Sequence, residues 1–579
     1  MSNIRISLDC LISEAISKVT GLHDCKAHVI YSTRPEFGDY QANGVMAAAK
    51  QLKTNPRELA LRVVAAIPAN DLIADVQVAG PGFINLYLSD GYLAKNASRL
   101  VATGGELLSK VETPLRVVVD YSGPNLAKEM HVGHLRGTII GDCIARVIGA
   151  QGHQVIRQNH VGDWGTQFGM LIAHMESLRE NSSQAVVQLA DLESFYRKAK
   201  TRFDLEPGFA DQARGYVVRL QQGDADCLRA WQQFIDESLS HCEGIYERLG
   251  VLLTREDLKP ESFYNSELED IIKVLDDKGL LSVSEGAKCV FLQEFTGKEG
   301  APLPTIVQKS DGGFLYATTD LAALRYRGQT LGADRVLYVV DARQSLHFQQ
   351  VFAIARKAEF VPPECSVEHI AYGTMMGEDG KPFKTRSGDT VKLSELLEES
   401  VRLAHKLVSA KNPDLSEEAR KEISDVIGIS AVKYADLSKN RMSDYVFDWS
   451  TMLSFEGNTA PYMLYAYARI RSILRKQGDE KEPSGVAEIR ITGSEERNLV
   501  LKILQFPEVI NQVAAECYPN YLCAYLYELA GIFMRFYEAC PVLKAEAEIR
   551  ASRLTLVALT STALKQGLAL LGLKTLEQM

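Results

Sequence analysis

Leu115–Tyr121 reads LRVVVDY, Ser122–Met130 reads SGPNLAKEM, and residues 131–159 run HVGHLRGTIIGDCIARVIGAQGHQVIRQN. The first stretch is short, apolar and β-branched, as expected of a buried parallel strand. The second breaks it with glycine, proline and polar residues. In the third, Leu135, Ile139, Ile140, Ile144, Val147 and Ile148 share one helical face, and Gly152 stands near its end. Gln154–Asn159 then reads as a second strand. Strand, helix, strand in that order is a right-handed crossover, so the fold class is α/β, a doubly wound Rossmann-type sheet.

His131-Val132-Gly133-His134 opens the helix. A helix N-terminus offers backbone N–H groups and the positive end of a dipole to an anion. Two imidazoles three positions apart project from the same turn. Gly133 leaves room for a nucleotide to approach the backbone. Transfer of an adenylyl group needs such donors on a polyphosphate while charge builds on its oxygens.

Outward from this unit, 579 residues are too many for one core; at roughly 100–200 residues per domain, three to five are expected. Residues 1–112 read as a small α/β domain: a helical opening, a second helical pattern over Ala42–Leu61, then strand, glycine turn and strand over Val76–Leu88. Residues 113–400 read as the doubly wound domain, with a charged helical insertion around 180–260. Residues 401–454 connect it to a helical domain, 455–579. There Tyr465–Lys476 (YAYARIRSILRK) sets aromatic and basic residues at helical spacing, which suits either stacking on single-stranded RNA with pairing to its phosphates or a core stripe with a solvated basic face.

Composition is that of an ordinary soluble protein, 46% hydrophobic and 24% charged. No apolar run approaches the roughly 20 residues of a membrane span, and the N-terminus carries no signal-peptide core, so a cytoplasmic protein without membrane contact is expected. The ten cysteines form no C-x-x-C pair and indicate neither a disulfide frame nor zinc. A net charge of −10 does not advertise nucleic acid, although a local basic surface can still bind it.

Asp120–His134 (DYSGPNLAKEMHVGH) resembles the signature block of arginyl-tRNA synthetases. The His-x-Gly-His core is shared by class I synthetases; the P-N-x-A-K stretch before it is particular to the arginine enzymes. Val161–Gly169, Tyr316–Asp320, Gln344 with His347 and Phe348, Phe455–Tyr462 and the segment from Phe536 to Met579 also resemble family blocks, so the resemblance spans the chain. It implies an arginine–tRNA ligase whose partners are ATP, L-arginine and tRNA(Arg), working as a monomer with Mg²⁺ on the phosphates and no protein-bound metal. ATP is then expected at His131, Gly133, His134, Met375 and Met376. Arginine is expected at Asp120, Ser122, Asn125, Tyr316, Asp320 and Gln344. Of these, Asp120 and Asn125 match positions that hold the amino and carboxylate groups. A planar, permanently charged guanidinium calls for a carboxylate able to accept a paired contact, and Asp320 is the family's choice. In the helical domain, Tyr537 and Met579 match anticodon-pocket positions; Phe37 and Asn43 fall in a segment resembling the one that meets the outer corner of the tRNA.

One departure stands out. Class I enzymes usually carry a Lys-Met-Ser-Lys-Ser loop, whereas this chain has Pro382–Gly388 (PFKTRSG), with Thr385 at the second lysine's place. Many arginine enzymes share the gap, and Lys128 is then expected to supply the catalytic cation, with Lys384 and Arg386 adding charge. The alternatives are another His-x-Gly-His nucleotidyltransferase, a synthetase for another amino acid, or a tRNA-binding paralogue without activity. The last would be expected to lose a signature histidine or the pocket aspartate, and both are present.

Overall fold

The computed structural model describes residues 3–32, 34–108, 110–181, 192–297, 300–381, 383, 391–476 and 488–579. They form two compact units. The larger comprises Val111–Pro461 and Leu570–Lys574. At its centre four strands run parallel in the order Ser366–His369, Arg335–Tyr338, Arg116–Asp120, Gln154–Gln158. Val117, Val118 and Val119 are buried, as both faces of a parallel sheet must be. Helix Leu135–Ala150 crosses from the third strand to the fourth. It packs so closely that a Cβ on Gly141 would lie 2.2 Å from the Cβ of Tyr121.

The chain then leaves the sheet. Helices Leu192–Leu205, Pro207–Gln221 and Ala225–Leu249 form the insertion. Three antiparallel strands, Leu281–Ser284, Ala287–Thr296 and Pro302–Gln308, precede helix Tyr316–Arg325, which ends in a π-helical turn, Tyr326–Thr330. Leu321 and Leu324 from this helix pack with Val118, Val336, Val351 and Ile354 in one core beside the sheet. The return to strand Arg335–Tyr338 places the second half next to the first, so the strand order reverses between the parallel strands Arg116–Asp120 and Arg335–Tyr338. Such a switch point is where doubly wound sheets bind ligands.

The second unit joins Met1–Lys110 with Tyr462–Ala569 and Thr575–Met579. Its antiparallel sheet has the order Val29–Tyr31, Tyr40–Ala42, Phe83–Leu88, Ile73–Ala79. The helical pattern at 42–61 is two helices, Val45–Leu52 and Pro56–Ala66. Pro56 disfavours α geometry at Asn55, whose side chain instead caps the N–H groups of Arg57 and Glu58. The ends of the chain are bonded together here: Tyr40 donates to the buried Glu508 carboxylate at 3.1 Å, and Arg497 reaches both oxygens of Asp39 at 2.8 Å. None of the ten cysteines forms a disulfide. Among the described residues no helix is long and apolar enough to cross a membrane.

Candidate active site

At the switch point lies a cavity of about 470 Å³. Asp120, Ser122, His131, Gly133 and His134 line it from the first half of the sheet, and Tyr316, Asp320, Gln344 and His347 from the second.

The signature turn is held by its own histidines. His131 Nδ1 accepts from the Gly133 N–H at 3.1 Å, and His134 Nδ1 accepts from the His131 N–H at 3.1 Å. Both rings therefore occupy the first turn, with centroids 4.0 Å apart. A Cβ on Gly133 would meet the His131 ring at 2.8 Å, so the glycine serves this packing as well as access. Burial pushes the His134 imidazole down to about 3, with the neighbouring His131 adding to the effect; burial and then the Lys128 charge lower His131. Both rings are neutral at neutral pH. With Nδ1 accepting, each carries its proton on Nε2, a donor for an anion.

Ser122 begins the loop in a left-handed conformation, φ 75°, followed by Gly123 at φ 51°. Its hydroxyl lies 2.7 Å from the Tyr246 hydroxyl and accepts from Thr138 Oγ1 at 2.9 Å. Tyr246 belongs to the insertion helix Ala225–Leu249, so the insertion fixes a residue of the site.

Asp120 ends its strand. Its Oδ2 accepts from Arg327 Nη2 at 2.8 Å and its Oδ1 from the His160 N–H at 3.3 Å. Asp320 lies one turn beyond Tyr316 on their shared helix. His347 Nε2 stands 2.6 Å from its Oδ2 and His160 Nε2 3.9 Å from its Oδ1. Tyr316 is 69% exposed at the cavity mouth.

Glu261 completes this wall. Burial first, then the charges of Asp163 and Asp320, push its carboxyl up to about 8. Nothing local in the sequence marks Glu261, His160 or Arg327; the contacts that give them meaning span the insertion and the second half of the sheet.

Other residues singled out from sequence lie elsewhere. Asn125 does not line the cavity; its Oδ1 accepts from the Ala127 N–H at 3.0 Å. The Lys128 ammonium sits 4.3 Å from the centre of the Tyr196 ring. Met375 and Met376 pair with Tyr445 and Val446, away from the cavity lining. Lys384, Thr385 and Arg386 lie outside the described residues. In the other unit, Arg469 stands 6.0 Å from the Tyr537 ring, and Glu577 accepts from Tyr467 and Arg471 at 2.9 and 2.7 Å, tethering the tail that ends in Met579. Phe37 closes a 3₁₀ turn, and Asn43 directly precedes Gly44 and helix Val45–Leu52. A larger cleft there, about 890 Å³, has no histidine in its lining.

Residues 97–449 match the profile described as tRNA synthetases class I (R), catalytic domain. Residues 463–579 match the DALR anticodon binding domain, and 7–88 the arginyl tRNA synthetase N terminal domain. An arginine–tRNA ligase of Chromobacterium violaceum is 56% identical over 566 residues, 98% of each chain. One from Marinomonas sp. is 54% identical over 577 residues, covering all of both. The crystal structure of arginyl-tRNA synthetase from Plasmodium falciparum has a TM-score of 0.86 at 30% identity over the full length of both chains.

Proposed function

This chain belongs to the arginyl-tRNA synthetase family, and from that premise we propose that the cavity at the switch point is where it activates arginine. The reaction is ATP-dependent ligation of arginine to tRNA. The arginine carboxylate attacks the α-phosphate of ATP and diphosphate leaves. The 3′-terminal ribose hydroxyl of tRNA(Arg) then attacks the mixed anhydride and AMP leaves. No protein nucleophile is required, because positioning and charge stabilisation carry both steps.

The observation that carries the assignment is the pairing of Asp320 with the histidine turn across one cavity. Asp320 receives the substrate guanidinium, with Tyr316 and Gln344 beside it and Glu261 as a second carboxylate. Asp120 and Ser122 meet the amino end. The Nε2–H groups of His131 and His134, with the helix N-terminus, take the phosphates of ATP. Lys128 supplies cationic charge near His131, whose imidazole it already depresses. Phe37 and Asn43 meet the tRNA body, and Tyr537 and Met579 its anticodon. Mg²⁺ comes on the phosphates of ATP, whose oxygens are the ligands such a hard cation prefers.

The test is ATP–diphosphate exchange with each of the twenty amino acids, with and without tRNA(Arg). Exchange with arginine alone, dependent on tRNA, is expected. Exchange with another amino acid would overturn the substrate assignment; robust arginine exchange in RNA-free protein would overturn the tRNA dependence.

A further inference from the structure

Arg327 is completely buried and lies two helical turns beyond Asp320. It does not continue the α-helix: it sits in the π-helical turn Tyr326–Thr330, a feature that re-aims a side chain and is frequent at functional sites. Its guanidinium is turned inward and held through two of its three nitrogens, Nη1 having no hydrogen-bond partner among the described residues. Nη2 donates to Asp120 Oδ2 at 2.8 Å, Nε donates to Gln158 Oε1 at 2.7 Å, and the guanidinium carbon lies 4.6 Å from the centre of the Tyr338 ring. Asp120 and Tyr338 both line the arginine cavity. A protein guanidinium thus stands behind one carboxylate of a cavity whose substrate brings a guanidinium to the other.

We propose that Arg327 is a positioning residue of the arginine site, a resident guanidinium that neutralises Asp120 and fixes its orientation so that the substrate guanidinium has Asp320 as its partner. The inference rests on reading Asp120 as the contact for the substrate's amino group. The planar fork holds Asp120 Oδ2 and Gln158 Oε1 at once, at the ends of two adjacent strands, which a lysine ammonium on a flexible stem does not reproduce. The His160 N–H holds Oδ1 from the other side. What remains of the carboxylate faces the cavity. Without Arg327, Asp120 becomes a loosely held, unneutralised carboxylate that competes for the substrate guanidinium.

The experiment uses the full chain with tRNA(Arg), measuring arginine-dependent exchange for wild type, Asp120→Asn, Arg327→Lys, Arg327→Ala and the double variant Asp120→Asn/Arg327→Gln. Truncating one partner of a buried charged pair is a large loss, so Arg327→Ala is expected to lower kcat/KM for arginine roughly 30-fold or more with the KM for ATP unchanged. Arg327→Lys falls between it and wild type. Guanidinium chloride at millimolar concentration partly restores Arg327→Ala and only inhibits wild type, a response that a general packing defect would not give. If Asp120→Asn keeps wild-type kcat/KM for arginine, the reading of Asp120 fails and the inference with it. If Asp120→Asn is impaired while Arg327→Lys and Arg327→Ala are not, Asp120 keeps its role and the positioning role of Arg327 is overturned. If Arg327→Ala does not fold, the double variant decides: kcat/KM equal to that of Asp120→Asn supports coupling, and a further multiplicative loss overturns it.

Discussion

Asp120 and Asp320 line the same cavity and are held in different ways. Asp120 has a permanent cation, Arg327, bonded to one oxygen and a backbone N–H on the other. Asp320 is faced by two imidazoles, His347 at 2.6 Å and His160 at 3.9 Å. The difference teaches how one cavity reads a long cationic amino acid in a single direction. On the proposed reading, the carboxylate with a resident guanidinium keeps capacity for an ammonium, and the carboxylate flanked by two imidazoles exchanges them for the substrate's guanidinium.

The comparison is broken first at Asp320. Asp320→Asn keeps the shape and removes the charge, leaving the guanidinium without a counter-ion. Losing one side of a charged hydrogen-bonded pair costs about 2–5 kcal/mol, a fall of roughly 30- to several-thousand-fold in kcat/KM for arginine at ~1.4 kcal/mol per tenfold. Because the guanidinium is remote from the reacting carboxylate, most of the loss should appear in the KM for arginine, with the KM for ATP unmoved. A matching rise in the KM for ATP would mean a general collapse of the cavity.

Next is the phosphate end. Lys128→Ala is expected to lower the adenylation rate by on the order of 10²–10³, as loss of one transition-state donor does, with arginine binding retained. Single-turnover adenylate formation measures it. An unchanged rate would move the cation to Lys384 or Arg386.

In the other unit the expected effect is smaller. Tyr537→Ala removes one stacking ring, worth about 1–3 kcal/mol per base, so aminoacylation should show a KM for tRNA roughly 5- to 150-fold higher. Tyr537→Phe should behave as wild type. A normal KM for the alanine variant would remove this residue from the anticodon site.

The smallest effect sharpens the comparison on the Asp320 side. Glu261 is held protonated up to about 8 by burial and by the charges of Asp163 and Asp320. A guanidinium favours its ionised form, so arginine binding should release a proton and tighten as pH rises towards 8. The sign for stability is opposite. The folded protein binds this proton more tightly than the unfolded chain, whose glutamate titrates near about 4.3, so the contribution to stability is present below that pH and lost as pH rises through about 8. Glu261→Gln should flatten both trends, read as the pH profiles of KM for arginine and of Tm. An unchanged slope in the variant would assign the titration to another group.

The sequence reveals the central strands and the histidine turn because both are local. LRVVVDY has the composition of a doubly buried strand, and HVGH stands where a helix begins. Asp320 is legible through resemblance, and Tyr316 through its place one turn away. His160, Glu261 and Arg327 are not, because each acquires its role by contact across long stretches of chain. Arg327 additionally depends on a π-helical turn that helical periodicity does not encode. The break at Asn55–Pro56 was readable in principle, from the proline and the capping asparagine before it. The association of Asp39 and Tyr40 with Arg497 and Glu508 was not, since nothing local links residues more than 450 positions apart.

The central claim is that Asp320 selects a charged guanidinium, and citrulline tests it most directly because it replaces that group with a neutral urea of similar shape. The measurement is ATP–diphosphate exchange with arginine and with citrulline, for wild type and Asp320→Asn, in the presence of tRNA(Arg). Wild type should prefer arginine strongly, and the variant should lose that preference as the asparagine amide pairs with the urea. A variant that retains the full preference for arginine would contradict the assignment and move guanidinium recognition to Glu261 and Gln344.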